Sequence, residues 1–349
     1  MGFRSVSSFF ASFLPLRWEM LDSLSRNEEF VARRGSIKKK GKTIVGKYII
    51  KRLLLAALTI FLVATLTFFL MNAVPGGPYE AEKAISPQAR AALEAKFGLD
   101  QPLGVQYVTY MKNLLHGDFG PSLKQRGREV KDIIFSKFPV SARIGGISVL
   151  MALCVGIPLG CISALNRGTA IDNTIIVIAT CGIAVPSFVI CSVCMYFFGV
   201  KLRLLPTVGI STWKHFIMPV FALSFYPTAY IARLMRSSML DVLGQDYMRT
   251  AKAKGLSQTV SLFKHALRNA ILPVLTYVGP MLAYTLTGSF IVERIFTIPG
   301  LGGEFISSIS NRDYMMIMGT TIFLATLVIV MNVIVDIIYK FVDPRINLK

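Results

Sequence analysis

LLLAALTIFLVATLTFFLMNAVPGGPY, residues 53–79, contains no charged side chain. A helix rises about 1.5 Å per residue and a bilayer's hydrocarbon core is about 30 Å thick, so about 20 such residues cross it. Five further uncharged runs follow, at 144–166, 173–200, 215–232, 269–292 and 314–335. Buried helices of a soluble protein do not account for so many in a chain of 349 residues. Hydrophobic residues make up 53% of the chain and charged residues 16%, where soluble domains carry about 25%. The reading is an all-α polytopic membrane protein with six transmembrane helices.

The formal net charge is +19. In a soluble protein that would suggest nucleic acid. Here Lys and Arg gather beside the apolar runs, as the cytoplasmic-side bias of membrane proteins requires, and no nucleic-acid partner is implied. Lys38, Lys39, Lys40, Lys42, Lys47, Lys51 and Arg52 precede the first run and place the N-terminus inside. Six crossings return the C-terminus, with Lys340, Arg345 and Lys349, to the same side. Residues 75–138 then lie outside. Their nine Lys and Arg are nearly balanced by seven acids, and long loops follow the charge rule weakly.

Residues 1–46 read as an N-terminal cytoplasmic extension. A disordered tail, an interfacial helix with a polybasic anchor, and a segment upstream of a start at Val45 all remain open. Pro75, Gly76, Gly77 and Pro78 stop the first span. In the external segment, Ser86 reads as the N-cap of a short helix with Pro87 at its first position and Gly98 beyond its end. Residues 106–115 suggest another helix, and HGDFGPS (116–122) a stop.

Cys154, Cys161, Cys181, Cys191 and Cys194 all fall in spans, where they read as small packing residues. His116, His215 and His265 are scattered and show no metal-ligand spacing. Pro158, Pro186, Pro219, Pro227, Pro273 and Pro280 are expected to bend spans. Gly145, Gly146, Gly156, Gly160 and Ser163 are expected at close helix contacts. Glu293 and Asp336 sit at span ends, where a helix-terminal or interface pairing is expected. The spans otherwise offer Ser, Thr, Asn and Tyr rather than a paired ionic site.

One passage breaks the apolar pattern. RTAKAKGLSQTVSLFKHALRN, residues 249–269, is basic, free of acids and helix-prone. Met239, Leu243, Tyr247 and Ala251 recur every four residues, with Leu240 and Met248 alongside, as one stripe of an amphipathic helix. Gly255 ends it, and Ser257 caps a second helix whose apolar face is Val260, Phe263, Leu267 and Ile271. The expectation is helix, glycine corner, helix on the cytoplasmic side. Physics alone leaves open whether this element is gripped by another protein or lies on lipid headgroups.

DYMRTAKAKGLSQTVSLFKHALRNAILP (246–273) resembles the cytoplasmic loop signature of binding-protein-dependent ABC importer permeases. Arg249, Thr250 and Ala251 precede Gly255 at the family's spacing. Arginine replaces the usual glutamate, and Ile271-Leu272-Pro273 falls five residues late. Both departures are normal in the peptide and nickel branch. KYIIKRLLLAALTIFLVATLTFFLMNAVPGGP (47–78), HGDFGPS, FPVSARIG (138–145), VPSFV (185–189), TGSFIVERIFTIPGLG (287–302), NRDY (311–314) and DPRI (343–346) match as well. Residues 47–349 are thus similar to the B-type permease subunits of oligopeptide importers.

That resemblance implies a type I ABC importer permease fold with an external helical segment at 75–138 and a cytoplasmic coupling region at 236–268. It implies a bacterial inner-membrane location and four kinds of partner: a homologous second permease, two ATP-binding subunits, an extracytoplasmic substrate-binding protein and a peptide substrate, with membrane lipid around them. The path would lie between the permeases. The chain has no Gly-x4-Gly-Lys-Ser/Thr phosphate loop, so it is expected to be no enzyme and to hold no cofactor, ATP being used by the partners. The lever would be Asp246, Tyr247, Arg249, Thr250, Ala251, Ala253, Lys254 and Gly255, braced by His265, Arg268 and Asn269. Tyr247, Thr250, Ala251 and Ala253 would form the ATPase contact. Residues 75–138, 201–214 and 294–313 would face the binding protein. Dipeptides, nickel chelates or opines are alternative cargoes. An ion-coupled secondary transporter, which wants ionisable groups mid-span, and a membrane-embedded enzyme are rivals of other classes.

Overall fold

The first span is one helix, α1 (Ile50–Ala73). The computed structural model describes residues 50–75, 79 and 86–342. The expectations for residues 1–46, the DPRI tail and the side chains of Asp336, Lys340, Arg345 and Lys349 lie outside what it describes. Among the described residues there is no β-strand, only an isolated bridge pairing Pro121 with Glu129.

Two short helices follow α1, α2 (Pro87–Lys96) and α3 (Leu103–Leu115). The Ser86 hydroxyl caps α2 by accepting from the Ala89 amide, and Gly98 takes a left-handed φ of +67° past its end, as the sequence predicts. α3 packs on α1, where Tyr107 bonds the Thr65 hydroxyl at 2.9 Å and Phe68 stacks on Tyr110. Tyr110 is buried, and burial pushes its phenol above the usual range.

α4 (Val130–Leu165) is 36 residues long, about 54 Å. It begins fourteen residues before the uncharged run, inside the expected external loop. Lys131, Asp132 and Lys137 interrupt the hydrophobic run but are compatible with helix, so polarity misplaces the boundary. Pro139 and Pro158 are accommodated inside it.

The run at 173–200 is not one straight rod. α5 (Ala170–Ala184) and α6 (Ser187–Lys201) meet at 103°. Pro186 cannot donate to Gly182 or follow an α-helical Val185, which adopts an extended conformation. α7 (Lys214–Leu243) keeps both Pro219 and Pro227, α10 (Leu272–Ile295) places Pro273 in its first turn, and α12 runs Tyr314–Val342. Among the described residues, five helices are thus long and apolar enough to span a membrane, six crossings if α5 and α6 make one.

Residues from Thr59 onward form one compact unit. Within it α4 lies along α7. A Cβ on Gly156 would come within 2.9 Å of Ile231, and one on Gly160 within 2.5 Å of the Ala232 carbonyl. Gly145 meets Leu286 in the same way, and Gly182 meets Ala229. Gly146 is the exception: it is exposed and nothing lies within 4 Å of its would-be Cβ. Ser163 serves a carboxylate instead. Cys191 and Cys194 are buried beside Met218 and Phe296, as packing residues.

Candidate functional site

α7 stops at Leu243 because Gly244 and Gln245 turn the chain, and a separate helix α8 (Asp246–Ala253) begins. The single stripe expected from Met239 to Ala251 is therefore split between two helices. Met239 is buried in α7, whereas Tyr247 faces out. Asp246 opens α8 with a negative charge where the helix dipole favours one. The Thr250 hydroxyl folds back onto the Asp246 carbonyl at 3.1 Å.

The corner after α8 is as expected. Gly255 has φ +71°, and the Leu256 amide reaches the Ala251 carbonyl at 3.3 Å, a glycine-ended helix stop. Ser257 then accepts from the Val260 amide at 3.4 Å and caps the helical segment α9, residues 258–270. The middle of α9, Ser261–Ala266, is wound as a π-turn. This changes which side faces inward. Ser261, Ala266 and Ala270 are buried, while Val260 and Phe263, expected on the apolar face, are exposed, Phe263 to 68%.

α8 is seated on the bundle by two contacts. Met248, 2% exposed, joins a core with Met235, Met239, Ala266, Ala270 and Val274. Burying a methionine contributes about 1.5–3 kcal/mol. The Asn269 side-chain amide donates to the Tyr247 hydroxyl at 2.9 Å and to the His265 carbonyl at 3.2 Å. α8 is therefore attached both to the end of α7 and to the segment leading into α10.

Of the expected site residues, Asp246, Tyr247, Arg249, Thr250, Ala253, Lys254 and Gly255 are exposed. Ala251 is not: at 6% exposure it faces the chain's own interior, because it shares a side of α8 with Met248. His265 is half-buried, and Arg268 and Asn269 are exposed. Arg249 pairs with Asp246 at 3.7 Å in open solvent, where such pairs count for little. Tyr247, Leu256, Val260 and Phe263 all stand exposed around the corner among Arg249, Lys254 and Lys264. The corner thus presents an apolar group with a basic rim to the outside.

A second feature has no counterpart in the sequence reading. Asp172, at the start of α5, is 1% exposed and accepts from Ser163 and from the Gly168 amide. Arg236 of α7 grips it with both ends of its guanidinium at 2.7 Å. Asp172 and Arg236 both lie just outside the charge-free runs 173–200 and 215–232, so the pair sits at the ends of two spans rather than within them. The partners are 64 residues apart, and the only local signal is the cap, with the Thr169 hydroxyl accepting from the Asp172 amide.

At the other end of the spans, α11 (Leu301–Asn311) is held by buried groups. Glu293 is fully buried, accepting from Ser289 at 2.7 Å and from the Gly303 amide at 3.0 Å. Ser141 receives the Leu301 amide at 2.8 Å. A Cβ on Gly300 or Gly302 would collide with Glu293 or Phe290, so the turn 298–303, which links α10 to α11, is closely fitted against α10. Asp313 bonds Ser122 and the Leu123 amide, and Lys137 pairs with Glu304, joining the 122–137 segment to the α11 region.

Between these ends, Tyr226 and Tyr230 of α7 meet Tyr284 and Tyr277 of α10, with ring centroids 5.6 and 4.3 Å apart.

Residues 156–348 match the family described as "Binding-protein-dependent transport system inner membrane component", and residues 45–144 match its N-terminal companion. The dipeptide transport system permease protein DppB of Bacillus subtilis is 44% identical over 87% of this chain and 99% of its own length. The oligopeptide transport system permease protein OppB of Escherichia coli is 40% identical over 86% and 99%. Among solved structures, an inward-facing MetNI methionine ABC transporter chain superposes with a TM-score of 0.51 at 16% identity, over 60% of this chain and 96% of that one. That likeness concerns the fold.

Proposed function

The chain belongs to the binding-protein-dependent transport system inner membrane components, and we propose that it works as the permease subunit of an ATP-driven oligopeptide importer. It forms one wall of the path and carries motion from ATP-binding subunits to its spans. Those subunits use the ATP. A homologous permease forms the opposite wall, and an extracytoplasmic binding protein delivers peptide. The N- and C-termini and α8 lie in the cytoplasm of a bacterial inner membrane.

The observation that carries this reading is how α8 is mounted. Its inner side is fixed to the bundle through Met248, and its outer side presents Thr250, Ala253 and Tyr247, the last tied by its hydroxyl to Asn269. A push on that side moves α7 and the approach to α10 together. Ala251 leaves the proposed contact and becomes part of the seat. The Asp172–Arg236 pair stiffens the same end by holding the α4–α5 turn to α7. The tyrosine cluster suits a peptide path, since phenols offer hydrogen bonds to backbone and apolar rings to varied side chains.

Isolation of the tagged chain from membranes tests the reading. Two ATP-binding subunits and a second permease should co-purify, and the reconstituted complex should take up peptides only with ATP and a binding protein. ATP-independent uptake driven by an ion gradient would overturn it. Dipeptide cargo is favoured by DppB and oligopeptide cargo by OppB, and uptake assays with peptides of graded length separate them.

A further inference from the structure

Two apolar cavities lie along α4 and α7, one on each side of the break between α5 and α6. The larger, about 860 Å³ and open on one side, is lined by α4, α6, α7 and the loop before α7. The smaller, about 210 Å³, is enclosed by α4, α5 and α7. Met151 and Phe221 line both, so the two adjoin at these side chains and succeed one another along α4 as an apolar trough. On α4 its wall is Arg143, Ile147, Met151, Val155 and Leu159, one residue per turn on a single side. From Arg143 to Leu159 that is about 24 Å, the reach of an extended acyl chain.

The trough has a charge at one end only. Arg143 is the sole charged residue lining either cavity, and it is exposed. Trp213, 71% exposed, stands at the same end with Ser211 and Thr212. Arg143 lies 22 residues from the end of α4 at Leu165, about 33 Å and close to one hydrocarbon thickness. Arg and Trp at that depth belong at the membrane–water boundary. A guanidinium at the mouth of a long apolar trough is complementary to a phosphate carrying an acyl chain. A peptide would meet few partners for its amides inside.

We propose that this trough binds one anionic phospholipid of the outer leaflet, its phosphate on Arg143 and an acyl chain running past Met151 and Phe221 toward Ala232. The leaflet assignment rests on the topology proposed above; the site itself does not.

The test uses the purified complex in nanodiscs with a phosphatidylglycerol that carries a photoactivatable group in its acyl tail. Adducts mapped by mass spectrometry should fall within residues 147–159 or 216–232. R143A should lower them about tenfold, the loss expected for one charge-assisted phosphate contact. R143K should keep most of the labelling, and a matched phosphatidylcholine probe should label far less. Equal labelling by both lipids in the unaltered protein, or undiminished labelling of an assembled R143A complex, would overturn the site. So would adducts only elsewhere, or zero-length crosslinks from this trough to the second permease, which would make its occupant a protein helix. If R143A does not assemble, the comparison of the two lipids on the unaltered protein decides. Absence of phosphatidylglycerol labelling in the unaltered complex, with its peptide uptake intact, would sink the lipid site and leave the transport reading standing.

Discussion

Asn269 and Tyr247 lie 22 residues apart on opposite sides of a glycine corner, and the Asn269 amide donates to the Tyr247 hydroxyl at 2.9 Å. The bond ties helix α8 to the segment entering α10. Because it is solvent-exposed, its net worth is about 0.5–1.5 kcal/mol. Tyr247→Phe and Asn269→Ala should each lower peptide uptake about two- to tenfold at unchanged membrane abundance. The double variant should be no worse than the poorer single one, as a double-mutant cycle of uptake rates would reveal.

Gly255 separates backbone strain from steric fit. Its φ of +71° favours glycine, yet nothing lies within 4 Å of a would-be Cβ. Gly255→Asn should retain most activity, since asparagine tolerates the left-handed region. Gly255→Val should cost about 1–2 kcal/mol in the corner and abolish most uptake without loss of membrane insertion. ATP-driven uptake by reconstituted complexes measures both.

Ala251 and Ala253 are two positions apart and face different surroundings. Ala251→Leu overfills the seat of α8 at a cost of about 1–3 kcal/mol and should expose the corner to limited proteolysis. Ala253→Leu, on an exposed site, should leave proteolysis unchanged and weaken retention of the ATP-binding subunits. Comparing digestion with co-purification for both variants checks the assignment.

Asp172 and Arg236 form a largely buried pair, with side chains 2% and 24% exposed. Removing one partner strands the charge of the other. Asp172→Asn and Arg236→Met should therefore reduce the amount and thermal stability of the assembled protein. Asp172→Leu combined with Arg236→Met should recover part of both, because no unpaired charge remains. Thermal aggregation of the purified complex is the readout.

The spans were legible because charge-free runs mark bilayer crossings whatever their neighbours. Ser86, Gly98 and Gly255 were legible because caps and left-handed stops are local. What failed was whatever depends on a partner far along the chain or on a shift of helical winding. The Asp172–Arg236 pair leaves no spacing to read. The π-turn at Ser261–Ala266 turned Val260 and Phe263 outward, against a pattern that assumed 3.6 residues per turn. Gly244 broke the stripe running to Ala251, since periodicity continues through a corner that the backbone does not. The start of α4 was hidden by Lys131, Asp132 and Lys137, which are charged but helical.

The most direct measurement is site-specific crosslinking from the outer side of α8. A cysteine at Tyr247 or Ala253, in a background free of the five native cysteines, should crosslink to an ATP-binding subunit, with a yield that changes when ATP is bound. Labelling of the same cysteine from outside intact cells, or the absence of any such crosslink in a complex that transports peptide, would contradict the account.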